Sequence, residues 1–120
     1  MFELSQQFQF DAAHTLARAY GVEGSKRIHG HSYSAEITVA ALQLEQGGMV
    51  VDLGALQAEI ARVRGLLDHR LLDEVAGLGA PTLENLCGFI WHQLKPRFPQ
   101  LCCVSVGRPS GGNRCTFRPT

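Results

Sequence analysis

Apolar and polar residues alternate along the start of the chain. Phe2, Leu4, Phe8, Phe10, Ala12 and His14 fall on one parity, against Glu3, Ser5, Gln7, Gln9 and Asp11 on the other. That is the signature of a strand with one buried face, because successive side chains point to opposite sides of a sheet. A second such run, from Ile28 to Leu42, sets His29, His31, Tyr33, Ile37 and Val39 against Ser32, Ser34, Glu36 and Thr38. A loop holding Gly21, Gly24 and Ser25 joins the two, and Gly47-Gly48 turns the chain into a short predicted strand, Met49 to Val51. The period then changes. Leu53, Leu56, Ile60, Val63 and Leu67 recur at steps of three and four behind Asp52, a good N-cap, which predicts a helix ending near Leu67. A loop rich in Gly and Ala leads to Pro81-Thr82, where Thr82 can cap a second helix that buries Leu83, Leu86, Cys87, Ile90, Trp91 and Leu94 and stops at Pro96. Leu101 to Val106 and Cys115 to Arg118 read as closing strands around the turn Pro109-Ser110-Gly111-Gly112. This order predicts an α+β domain in which two helices cover one face of an antiparallel four-stranded sheet.

With 120 residues and no linker, repeat or low-complexity tract, the chain is expected to form one domain over residues 1–120. Such a domain holds a real core but is small for a deep pocket built by one subunit. Eleven basic residues balance eleven acidic ones, so there is no electrostatic footprint of a nucleic-acid binder or a polybasic membrane anchor. The alternating N-terminus lacks the basic start and apolar block of a signal peptide, and no apolar run is long enough to span a bilayer. A cytoplasmic location is the expectation. Cys87, Cys102, Cys103 and Cys115 show no CxxC spacing and are expected to be free thiols.

The histidines change the picture most. His29 and His31 share a face, and His14 lies on the apolar parity of its own segment, so neighbouring strands would bring three imidazoles together. Three neutral imidazoles with an open fourth position are the ligand set of a catalytic zinc. The same spacing also suits three separately hydrogen-bonded strand histidines, and taken alone it leaves both open.

The strings Phe10-Asp11-Ala12-Ala13-His14, Ile28-His29-Gly30-His31-Ser32-Tyr33, Gly48-Met49-Val50-Val51-Asp52, Leu67-Asp68-His69 and Pro81-Thr82-Leu83-Glu84-Asn85 carry a resemblance. In this order, over nearly the whole chain, they resemble the 6-pyruvoyl-tetrahydropterin synthase family, which includes the 6-carboxytetrahydropterin synthases of bacterial queuosine biosynthesis. The resemblance implies the tunnelling fold (T-fold), in which subunits pair their sheets into a β-barrel, commonly as trimers stacked into hexamers with active sites between subunits. It also implies that His14, His29 and His31 hold Zn2+ and that Asp68 with His69 relays protons. Sequential adjacency alone would equally fit a solvated pair terminating the first helix, with His69 favoured by the helix dipole.

Two positions depart from the family pattern. Members commonly carry a cysteine four residues before the first histidine of the HGH motif, as the proton-abstracting thiolate; here that position is Ser25, and no cysteine precedes Cys87. A hydroxyl is a far poorer base than a thiolate. The glutamate that grips the pterin in the family aligns with Arg108, and no Asp or Glu follows Glu84. A donor-only arginine opposes the donor-rich edge of a pterin, and Glu84, in the Pro-Thr-x-Glu-Asn stretch that resembles the family's, is the nearby family-matched carboxylate to substitute; the resemblance implies Thr82, Glu84 and Arg108 as candidate substrate-binding residues. The expectation is a zinc-dependent lyase of this family acting on a pterin-like or related small heterocyclic substrate, with altered chemistry. The alternatives are a catalytically silent zinc-containing homologue that binds a small ligand, and an aldolase-type enzyme that cleaves the side chain.

Overall fold

The computed structural model describes the backbone of residues 1–120 and every side chain except that of Val22. The two long alternating runs form β1 (Phe2–His14) and β2 (His29–Ala41), antiparallel in a register that sets Phe2 opposite Ala41 and His14 opposite His29. Strands β3 (Leu101–Arg108) and β4 (Asn113–Phe117) complete an antiparallel four-stranded sheet in the order β1-β2-β3-β4. The apolar parity of β1, β2 and β3 faces the core: Phe8, Phe10, Tyr33, Ile37, Val39, Val104 and Val106 are all buried.

Two longer helices cover that face. In α2 (Leu53–Leu67) the Asp52 carboxylate accepts from the Ala55 N–H at 2.9 Å, and Leu56, Ile60, Val63 and Leu67 form the buried stripe. In α3 (Leu83–Leu94) the Thr82 hydroxyl accepts from the Asn85 N–H at 3.1 Å, and Leu86, Ile90 and Leu94 are fully buried. Each cap satisfies a donor that the first helical turn leaves unpaired. The opposite face of the sheet is polar and is tied across strands by Ser5–Thr38 and Gln7–Glu36 contacts, both at 3.0 Å. The Leu53 end of the predicted stripe is the exception, being exposed.

Three local expectations need correction. Met49 to Val51 is not a strand: Met49 makes one bridge with Glu45 across the Gly47-Gly48 turn, and Val50 and Val51 pack into the core instead of pairing. The predicted loop around Ser25 contains a one-turn helix, α1 (Val22–Lys26), too short to show a period. Strand β3 runs two residues further than expected and β4 starts two residues earlier, because the hairpin closes tightly. At Gly107 an added Cβ would lie 3.0 Å from the Asn113 carbonyl oxygen, so glycine lets β4 approach here without displacing that carbonyl. The resulting 3-10 turn over Pro109–Gly111 fixes Arg108 at the sheet end nearest β2.

Among the described residues no helix is long and apolar enough to cross a membrane. All four cysteines are free, and burial pushes the Cys87 thiol up to about 12.

Candidate metal centre and substrate cleft

The register decides the centre. His14 is the last residue of β1 and His29 the first of β2, paired directly, while His31 sits one inward-facing position along on β2. Nε2 of His14 lies 3.0 Å from Nε2 of His29 and 3.1 Å from Nε2 of His31. The three potential ligand atoms lie within 4.8 Å of one another.

Backbone carbonyls fix the ring orientations. His14 Nδ1 is 2.9 Å from the Pro81 carbonyl oxygen, and His29 Nδ1 is 2.7 Å from that of Arg27. A carbonyl only accepts, so Nδ1 must carry the proton in both rings, which makes Nε2 an unprotonated lone pair in each neutral imidazole. Burial lowers the His14 pKa, with His29 and Arg108 adding to the effect against the Pro81 carbonyl. His31 is lowered to about 4, by burial first and then by the Arg108 guanidinium. The short approach of His14 Nε2 to His29 Nε2 is therefore lone pair against lone pair, while His31, whose Nδ1 has no such carbonyl, meets the same His14 lone pair with a tautomer that the contacts leave open. A tetrahedral ion with metal–nitrogen bonds of about 2.1 Å spaces its nitrogens about 3.4 Å apart, so a slight opening of this cluster accepts one. The donor set fits a metal, and carbonyl-fixed Nδ1 atoms are the usual outer support of such ligands.

A cleft of about 190 Å³ adjoins the cluster, lined by His14, Tyr33, Pro81, Thr82, Glu84 and Arg108 among others. The fold thus brings the three candidate substrate-binding residues, Thr82, Glu84 and Arg108, to one place beside the imidazoles. Arg108 reaches from the end of β3, its Nε 3.2 Å from Asn113 Oδ1 and its Nη1 3.5 Å from His31 Nε2. The second distance is too long for a useful hydrogen bond. Glu84 is exposed and makes no ion pair with Arg108.

Ser25 is buried next to this end of the hairpin, and its carbonyl accepts from the Leu16 N–H at 2.7 Å, two residues beyond His14. The Asp68-His69 pair is placed elsewhere. Asp68 caps the end of α2, takes the Asp11 N–H on Oδ1 at 3.0 Å, and holds His69 Nδ1 at 2.9 Å and Arg64 at 3.3 Å on Oδ2. The Asp11 N–H, then the His69 ring, hold the Asp68 carboxyl below its ordinary pKa. His69 is exposed, and no hydrogen bond among the described residues joins it to the cluster. Its anchor at Asp11 lies about 10 Å along the strand from His14.

Sequence reasoning missed Tyr33 and Arg18 as site residues. The Tyr33 hydroxyl is buried without a hydrogen-bond partner, and burial pushes its pKa up to about 12, so it stays protonated. Its parity with His29 and His31 was the available signal. Arg18 lines a second cleft of about 280 Å³ on the other side of Arg108, with His31, Ser110 and Asn113. No periodicity marks that loop position.

Comparison with known proteins adds an independent line. The sequence pattern of the family described as 6-pyruvoyl tetrahydropterin synthase matches residues 3–120. A 6-carboxy-5,6,7,8-tetrahydropterin synthase of Synechocystis sp. is 34% identical over 100 residues, covering 79% of this chain and 76% of the relative. A dihydroneopterin monophosphate aldolase of Pyrococcus furiosus is 32% identical over 90 residues, covering 75% of this chain and 72% of its own length. Among solved structures, 6-pyruvoyl tetrahydropterin synthase of Caenorhabditis elegans superposes with a TM-score of 0.85 at 24% identity, covering 99% of this chain and 96% of that one. That likeness identifies the fold as the T-fold.

Proposed function

The chain belongs to the 6-pyruvoyl tetrahydropterin synthase family, and on that footing we propose that it is a zinc-dependent lyase acting on a pterin-like or related small heterocyclic substrate, in the manner of the 6-carboxytetrahydropterin synthases. The observation that carries this reading is the convergence of three Nε2 atoms whose Nδ1 positions on His14 and His29 are occupied by carbonyl contacts. Zinc bound there would supply Lewis acidity to a substrate oxygen and so acidify the neighbouring C–H and O–H protons. Thr82, Glu84 and Arg108 would bind and orient the substrate in the adjoining cleft. Asp68 would hold the His69 ring by its Nδ1 proton and stabilise its cation, leaving Nε2 to take up or release a proton. Ser25 stands at the position of the usual thiolate base, and with Arg108 at that of the pterin-gripping glutamate the chemistry is altered from the family norm. The similarity to a dihydroneopterin monophosphate aldolase favours side-chain cleavage as the second reading. A silent zinc-containing homologue is the third, although it would not need the Asp68-His69 pair.

We further propose a cytoplasmic homo-oligomer, a hexamer built from trimers, with sites between subunits. Two features support it. The two clefts beside the imidazoles are smaller than the ~300–1,000 Å³ of ordinary ligand pockets, and His69 is exposed and lines neither of them.

The metal test comes first. One zinc per subunit is expected by elemental analysis of unchelated protein, and stoichiometric zinc retained in a His29→Ala, His31→Ala double variant would remove the assignment. Incubating zinc-loaded protein with dihydroneopterin triphosphate and identifying products by mass then separates elimination, side-chain cleavage and silence.

A further inference from the structure

The charge around the imidazole cluster does not balance. An imidazole that binds a metal through a ring lone pair is neutral, so a divalent ion held by His14, His29 and His31 would keep its charge. Arg108 places Nη1 3.5 Å from His31 Nε2, which puts a second cation beside the nitrogens that would hold the ion. Arg108 has one engaged donor, Nε on Asn113, and the remaining guanidinium N–H groups meet no acceptor at hydrogen-bonding distance among the described residues other than the long His31 contact. A lone pair occupied by a metal could not serve even that contact. Arg18 lines one cleft together with Arg108, His31 and Ser110.

The available carboxylates do not settle the charge. Asp73 is committed to the backbone N–H and hydroxyl of Thr15, and Glu84 lies on the opposite cleft, exposed and unpaired with Arg108. The buried Tyr33 hydroxyl, which lines that cleft with Arg108, is a further donor with no acceptor. An ion, a guanidinium fork and an orphan hydroxyl converge, and every one of them seeks negative charge or a lone pair.

We propose that the group completing this centre is a substrate oxyanion, a carboxylate or a phosphate, that bridges the ion held by His14, His29 and His31 and the Arg108 guanidinium, with Arg18 reinforcing it from the cleft it shares with Arg108. This rests on the metal reading above and narrows the substrate class within it: an anionic substituent sits beside the metal-held oxygen. A neutral pterin side chain leaves the guanidinium facing the ion uncompensated.

Cobalt(II) substitution gives a readout independent of turnover, since its visible absorption responds to a change in the fourth ligand. The cobalt-loaded protein is titrated at constant ionic strength with acetate, inorganic phosphate and glycerol, in wild type, Arg108→Gln, Arg108→Lys and Arg18→Gln. Acetate or phosphate should bind saturably and glycerol should not. The stronger of the two anions assigns the carboxylate or the phosphate. Arg108→Gln should weaken the anion by about tenfold or more, as expected for loss of a charge-assisted pair, while Arg108→Lys restores part of the loss and Arg18→Gln gives a smaller one. Should Arg108→Gln fail to fold, the Lys variant and the exposed Arg18→Gln carry the same comparison. Anion affinity equal in wild type and all variants, or glycerol binding as tightly as the anions, overturns the proposal with the metal centre intact. A wild-type protein that takes up no cobalt removes the metal reading and this one with it.

Discussion

Ser25 shows how far one residue can move the chemistry of an unchanged frame. It is buried beside the imidazole end of the β1–β2 hairpin, yet a serine hydroxyl lacks the low pKa of a thiolate. If the reaction depends on a thiolate at this place, Ser25→Cys raises turnover of dihydroneopterin triphosphate and Ser25→Ala leaves the wild-type rate little changed. Product formation measured by mass in both variants checks this, and a large loss in Ser25→Ala would mean that the hydroxyl is itself activated. At this scale the sequence marked His14, His29, His31, Thr82, Glu84 and Arg108 as candidates, and the fold brings them to one place. Tyr33 shared the parity of His29 and His31, but its unpartnered hydroxyl, and the place of Arg18 beside Arg108 in one cleft, are properties of surroundings rather than of residue type.

The end of α2 carries a strained residue. Past the Asp68 C-cap the chain turns at His69 with φ 59°, the one non-glycine residue with positive φ among those described. That position after a helix usually belongs to glycine, and a residue with a Cβ is disfavoured there by about 1 kcal/mol or more. His69→Gly should therefore raise stability by about 1 kcal/mol while abolishing any turnover that uses the ring. Thermal unfolding alongside an activity assay reads both quantities. A fall in stability would show that the exposed ring contributes more to the fold than its contact with Asp68 suggests. The strain is held by neighbours: the His69 N–H donates to the Asp11 carbonyl at 2.7 Å, and the Ala13 N–H to that of Arg70 at 3.0 Å. These two bonds lay segment 69–71 along the outer edge of β1, a contact that no local periodicity announces. The helices themselves were legible from the Asp52 and Thr82 caps and the three-and-four stripes, since those signals are local. Strand boundaries near Arg108 were not, because Gly107 and β4 set them through space.

The whole protomer is elongated, 54 × 25 × 24 Å, with the imidazoles at the end of the long hairpin where β1 finishes and β2 begins. The sheet has open edges along the first half of β1 and the outer side of β4, and exposed Phe2, Leu44, Met49 and Phe117 remain near them. Open edges of this kind invite pairing with further strands, and copies of the same chain can close them while building pockets at the seams. A homo-oligomer of trimers, most simply a hexamer, is the expected state in solution. Light scattering across micromolar concentrations checks it, and a stable monomer would contradict both the assembly and a shared site. In such an assembly the exposed His69 of one copy is free to serve the imidazoles of another.

The sequence by itself determined the α+β plan, the covered sheet face, both long helices and the three histidines on inward parity. Each of these rests on a period of two or 3.6 residues, or on a cap a few residues away, and so is written locally along the chain. Only the tertiary structure decided that His14 pairs with His29 rather than with a neighbour in the run. It alone fixed the Nδ1 atoms of His14 and His29 on the Pro81 and Arg27 carbonyls, brought Arg108 on the neighbouring strand β3 to His31, and left Asp68 and His69 at the opposite edge of β1. Those placements depend on strand register and on residues up to 77 positions apart, where a slip of one residue would turn every imidazole to the other face.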